Sequence, residues 1–186
     1  MTTFPALPGW DGIHPAMVQF PVALLLVAPL MLMVSLFARQ QWRAWAGSAL
    51  LLMVLGTTAA WLAVASGHAA GQLVDKVQGL ERAIGRHEAL GLATRNLFTL
   101  LTLVWALVMM VPVWTKKPLA APVRIGIQAA YLACYLVATV VLANTAVRGG
   151  QLVHDYGVRA MVGALPPEAT TPVADTAPAA KEATTR

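Results

Sequence analysis

Charge is scarce in this sequence. Residues 12–38 contain no Asp, Glu, Lys or Arg, and over all 186 residues charged side chains make up 11%, well under the roughly one-quarter typical of a soluble globular domain. Aliphatic, aromatic and sulfur side chains supply 58%, so the bilayer is the expected solvent. Cys134 is the single cysteine, which excludes an intramolecular disulfide and leaves no Cys-x-x-Cys-His for covalent haem. There is no Gly-rich phosphate loop and no Ser or Cys nucleophile beside a base. Acidic residues are missing from the apolar blocks, which argues against a permeation path. The formal charge of +5 is scattered in ones and twos. It is not gathered on one face, so nucleic acid is not an expected partner.

What is present is four apolar blocks, at 17–37, 45–67, 95–116 and 125–147. At 1.5 Å per residue each is about long enough to cross ~30 Å of hydrocarbon. They predict an all-α integral membrane four-helix up-down bundle over residues 1–165, with spans at about 14–37, 44–68, 87–114 and 123–148. The first block is too long for the core of a signal peptide and has no basic segment before it, so it reads as an uncleaved span. Pro21 and Pro29 should bend it. Ala59, Ala63 and Gly67 recur every four residues, a spacing that lets helix backbones approach closely, and Gln128 and Asn144 are candidates for interhelical hydrogen bonds. Between spans two and three, residues 69–86 mix charges with Leu73, Val77, Leu80 and Ile84 at helical spacing, which predicts a surface amphipathic helix. Residues 166–186 are rich in Pro, Ala and Thr and are expected to be a disordered tail.

The two short hairpin loops and their borders carry Arg39, Arg43, Lys116, Lys117 and Arg124 with no acid, whereas the middle loop balances Lys76, Arg82 and Arg86 against Asp75, Glu81 and Glu88. Basic short loops stay on the inner side, so both termini and the middle loop are expected outside. Trp42, Trp45 and Trp114 then mark the inner interface and Trp10 the outer one.

Threaded this way, all four histidines come to the outer end: His14 opens the first span, His68 closes the second, His87 precedes the third and His154 follows the fourth. His14 lies as many residues from Phe37 as His68 does from Trp45, so the two share a depth. His87 and His154 reach further out. Depth therefore offers two candidate pairs, His14 with His68 and His87 with His154. Imidazoles projecting from facing helices suit one or two b-type haems, with copper or zinc as the alternative. Arg95 and Arg148 lie inside His87 and His154, where each is placed to neutralise a haem propionate. The competing reading has interfacial histidines capping helix ends, arginines snorkelling to headgroups and no cofactor at all. The first reading gives an electron-transfer protein, more a carrier or an oxidoreductase subunit than an enzyme. The second gives a membrane anchor or assembly subunit.

His14-Pro15, Val18 and Phe20-Pro21, then Gly67-His68, His87-Glu88 and finally Gly150-Gln151-Leu152-Val153 with Gly157 together resemble a bacterial family of four-helix membrane proteins designated domain of unknown function 2231. The resemblance covers nearly all of the chain before the tail. It departs at Gln19, where the family often has a second histidine, and at the close, where the family has Tyr then His and this chain has His154 then Tyr156. The resemblance implies a bacterial source, so the membrane is expected to be the inner one and the outer side, where the loop charges put both termini, the periplasm. The family's histidine pattern is similar to that of small membrane b-type cytochromes, which would make a periplasmic cytochrome or a membrane dehydrogenase the electron partner and membrane lipid the surrounding solvent.

Overall fold

The computed structural model of the protein describes residues 9–10, 12–74 and 79–158, so the tail predicted at 166–186 lies outside the described residues. Five helices follow one another: α1 His14–Met17, α2 Gln19–Phe37, α3 Trp42–Gln72, α4 Leu80–Thr115 and α5 Ala121–His154. Taking α1 and α2 as one span, four helical segments are long and apolar enough to cross a membrane. The break between α1 and α2 falls at Val18, three residues before Pro21, whose missing N–H leaves the carbonyl of Met17 without its helical partner. Neighbouring helices contact in the order α2, α3, α4, α5 and back to α2, so α2 and α4 lie on one diagonal of the bundle and α3 and α5 on the other.

A strict three-four spacing runs down every interior face. On α1 and α2 the inward positions are His14, Pro21, Leu25, Ala28, Leu32 and Ser35; on α3 they are Ala46, Ala49, Met53, Gly56, Ala60, Ala63 and Gly67. The inward face of α4 carries His87, Thr94, Phe98, Leu101 and Trp105, and that of α5 Arg124, Gln128, Tyr131, Tyr135, Ala138, Leu142, Thr145 and Gly149. A repeat averaging 3.5 residues keeps one seam on the bundle axis through a left-handed supercoil. Large apolar residues off the seam, such as Leu26, Val54, Leu103 and Val140, are exposed, as the lipid-facing surface of a membrane bundle requires.

Lipid tails are as apolar as Leu, so burial alone does not hold such helices together; close packing and interhelical hydrogen bonds do. Small residues let α2 and α3 meet: a Cβ on Gly56 would stand 2.8 Å from Leu25 Cγ, a separation that only glycine permits. Aromatic side chains tie the remaining helices through their polar ends. Trp105 donates to the Ala46 carbonyl at 3.2 Å and Tyr131 to the Leu101 carbonyl at 2.8 Å. The Tyr135 hydroxyl donates at 3.0 Å to the carbonyl of Leu25. That carbonyl is the one Pro29 strands, since Pro29 has no N–H to return to it.

The expected amphipathic helix over 69–86 is divided between two spans. Residues up to Gln72 continue α3 and those from Leu80 begin α4, with Gly79 at φ 94° before it. Asp75, Lys76, Val77 and Gln78 lie outside the described residues. Part of the expected stripe is packed within the protein: Leu80 is buried and Ile84 packs over Gly71 of α3, whereas Leu73 is exposed. Asn144, expected to bond across helices, is exposed, whereas Gln128 does so, donating to Ser35 Oγ at 3.2 Å.

Candidate two-histidine site

His14 and His87 face each other across the bundle at the end remote from the basic loops, with ring centroids 6.4 Å apart and planes at 75°. Both are half-buried seam residues, and each lies edge-on against a glycine of the helix beside it. A Cβ on Gly67 would come within 2.7 Å of His14 Cε1, and one on Gly149 within 3.0 Å of His87 Cε1. The two glycines thus admit the rings to the bundle interior.

The hydrogen bonds fix both tautomers. The His87 Nδ1 stands 3.2 Å from the Thr145 carbonyl, which only accepts, so Nδ1 carries the proton of the neutral ring and Nε2 the lone pair. His14 Nδ1 stands 3.2 Å from Ser66 Oγ, and that hydroxyl already gives its one hydrogen to the Ala63 carbonyl at 3.1 Å. His14 therefore donates from Nδ1 and also keeps its Nε2 lone pair. Two neutral imidazoles, each oriented from behind through Nδ1–H, is the arrangement that metal-ligating histidines show.

The structure pairs the histidines differently from depth alone. His68 is one residue past the seam position Gly67, a turn of about 100° on a helix, and it points outward with 63% of its side chain exposed. Its Nδ1 is 2.8 Å from Glu88 Oε1, and the Gln72 amide donates to its Nε2 at 3.0 Å. Both nitrogens are occupied. His154 is exposed at the last residue of α5, which passes unbroken through Gly149 and Gly150. His14 therefore meets His87, not His68, and His154 has no part in the pair. Equal depth is necessary for two ligands of one iron, but the direction in which each side chain leaves its helix decides.

A model of predicted membrane proteins, the family DUF2231, matches residues 11–161. The chain belongs to this family. No curated protein and no solved structure matches it.

In this DUF2231 protein the two arginines do not join the pair. Arg95 lies with its guanidinium 4.1 Å from the Trp61 ring centroid and bonds Asn96, and exposed Arg148 donates to Gln151. Arg95 stands about 28 Å along α4 from Trp114, and His87 is about 12 Å further along the same helix. Sequence reasoning missed Ser66, Gly67, Thr145 and Gly149. Gly67 reads in the sequence as a packing residue, yet the three-four spacing that links Gly67 to Ala63 and Gly149 to Thr145 sets both on the inward faces.

Proposed function

We propose that this is a membrane electron-transfer protein in which His14 and His87 hold one b-type haem. The observation that carries the reading is the facing pair of imidazoles 6.4 Å apart, with neither Nε2 engaged by another group among the described residues. Two imidazoles bound trans to one metal through Nε2 at about 2 Å have centroids about 6 Å apart, so the spacing fits. The donor set favours haem over zinc or copper. Among the described residues no three His, Cys, Asp or Glu side chains come together, whereas structural zinc takes four protein ligands and a bis-histidine haem takes two. Haem supplies one-electron redox chemistry when bound. His14 and His87 would set its position, and Ser66 and the Thr145 carbonyl would hold their rings.

The membrane orientation belongs to the same proposal. Basic loops at 38–41 and 116–120 favour the inner side, which leaves the histidine pair and both termini facing the periplasm of a bacterial inner membrane, where a soluble cytochrome or a membrane dehydrogenase can exchange electrons. In a Cys134→Ala background, cysteines at Gln41 and Ala120 should be protected from an impermeant thiol reagent on intact cells, and one at Gly79 should react. Labelling of the two hairpin loops from outside would reverse the orientation.

The visible spectrum of protein purified from haem-replete cells tests the cofactor directly. Sharp α and β bands of a six-coordinate b-type haem are expected on reduction. The rival reading, a membrane anchor or assembly subunit without cofactor, is favoured by the same Nδ1 hydrogen bonds, which satisfy the rings inside the bundle. A colourless protein would decide for it.

A further inference from the structure

At the opposite end of the bundle a cation is buried with no anion beside it among the described residues. Arg124 lies in the first turn of α5 and is only 7% exposed. Its guanidinium stacks 4.8 Å from the Trp42 ring centroid and makes one hydrogen bond, from Nη1 to Gln128 Oε1 at 3.2 Å. That amide is pinned by its other end: Gln128 donates to Ser35 Oγ, whose hydroxyl is itself committed to the Leu32 carbonyl at 2.7 Å. The carbonyl oxygen of Gln128 is thereby aimed at Arg124. A guanidinium has five N–H donors and stays charged at any working pH, and buried charges are normally paired. Among the described residues no carboxylate is at hand: loops 38–41 and 116–120 contain none, and Glu88, the acid bonded to His68, is at the far end.

Beside the guanidinium is a void of about 10 Å³ lined by Trp42, Trp105, Met109, Arg124 and Gln128, room for a single oxygen atom. Leu119 and Val108 border it on the apolar side. Arg39, Arg43, Lys116 and Lys117 surround this end, and basic recesses between membrane helices are where phosphate headgroups are taken. We propose that Arg124 binds a phosphate oxygen of an anionic phospholipid headgroup, with Gln128 holding the guanidinium and Trp42 covering its face. The acyl chains then lie along the lipid-exposed surface, which a free phosphate ion has no means to use.

Native mass spectrometry of the full chain, exchanged into detergent with equal phosphatidylglycerol and phosphatidylcholine, reads the site. One phosphatidylglycerol per chain should be retained, preferred roughly tenfold. Arg124→Gln should abolish the preference, and Arg148→Gln, which changes an exposed cation at the far end, should keep it. Equal retention of both lipids by the unmodified protein overturns the proposal whether or not the Arg124 variant folds. Unchanged preference in folded Arg124→Gln does so too. Excess inorganic phosphate should leave the lipid in place, and its displacement would overturn the lipid assignment.

Discussion

His14→Ala and His87→Ala are each expected to abolish the six-coordinate haem spectrum, leaving a five-coordinate form or no haem, while His68→Ala and His154→Ala leave it intact. The contrast follows from azimuth. His14 and His87 occupy seam positions with neither Nε2 engaged among the described residues, whereas His68 has both nitrogens engaged by Glu88 and Gln72 at an exposed surface and His154 ends α5 in solvent. Ser66→Ala removes the acceptor behind His14 Nδ1–H and, as an outer-shell change, should weaken haem retention about 10-fold to 100-fold. A side chain larger than hydrogen at Gly67 would push the His14 ring away from its partner, because even a Cβ there stands 2.7 Å from Cε1. Reduced-minus-oxidised spectra of the four single variants, expressed alike, give the answer. Loss of the bands in His68→Ala with retention in His87→Ala would restore pairing by depth and sink the pair proposed here.

Tyr135→Phe is expected to destabilise the bundle by about 1–3 kcal/mol, the cost of leaving a buried backbone acceptor unsatisfied. The acceptor is the Leu25 carbonyl, orphaned within α2 by Pro29 and reached from α5 only by the Tyr135 hydroxyl at 3.0 Å. Hydrocarbon offers no water to replace that donor. The same logic predicts a rescue. Pro29→Ala returns an N–H to position 29, so the Leu25 carbonyl regains a helical partner and Tyr135→Phe should cost about 1 kcal/mol less in that background. Reversible unfolding in mixed micelles, run as a double-mutant cycle, measures the coupling. An equal cost in both backgrounds would mean that the hydroxyl is not standing in for the missing amide.

Tyr135 also shows what was hard to read. Its side chain is fully buried and its ring meets Phe98 at 5.2 Å, yet in the sequence it is one more apolar residue in a block apolar on every side. A helix in lipid exposes Leu and Val as freely as it buries them, so hydrophobicity shows no period along it. What does carry the period is size and polarity. Small and polar residues such as Ala46, Ala49, Gly56, Ala63 and Gly67 on α3, or Arg124, Gln128, Thr145 and Gly149 on α5, fall on the three-four spacing because only they can face a neighbouring backbone closely or bond across the interface. Arg124 was counted as a loop cation for the same reason: charge locates the membrane edge but does not say which way a side chain leaves its helix.

Composition selects the bilayer and the four apolar blocks set the number of spans, and threading them up and down brings all four histidines to one end; the separate depths read for His14 and His87 do not hold, since their rings meet. The apolar spacing over 69–86 predicts one helix against the membrane surface; Leu80 is instead buried and Ile84 packs over Gly71 of α3, a partner that helical spacing alone does not name. Which histidines meet is set by the packing of the bundle, because it depends on which helices share a diagonal and on a rotation of about 100° per residue about each axis. His14 and His87 come together, while His68, one residue from the seam, turns to Glu88.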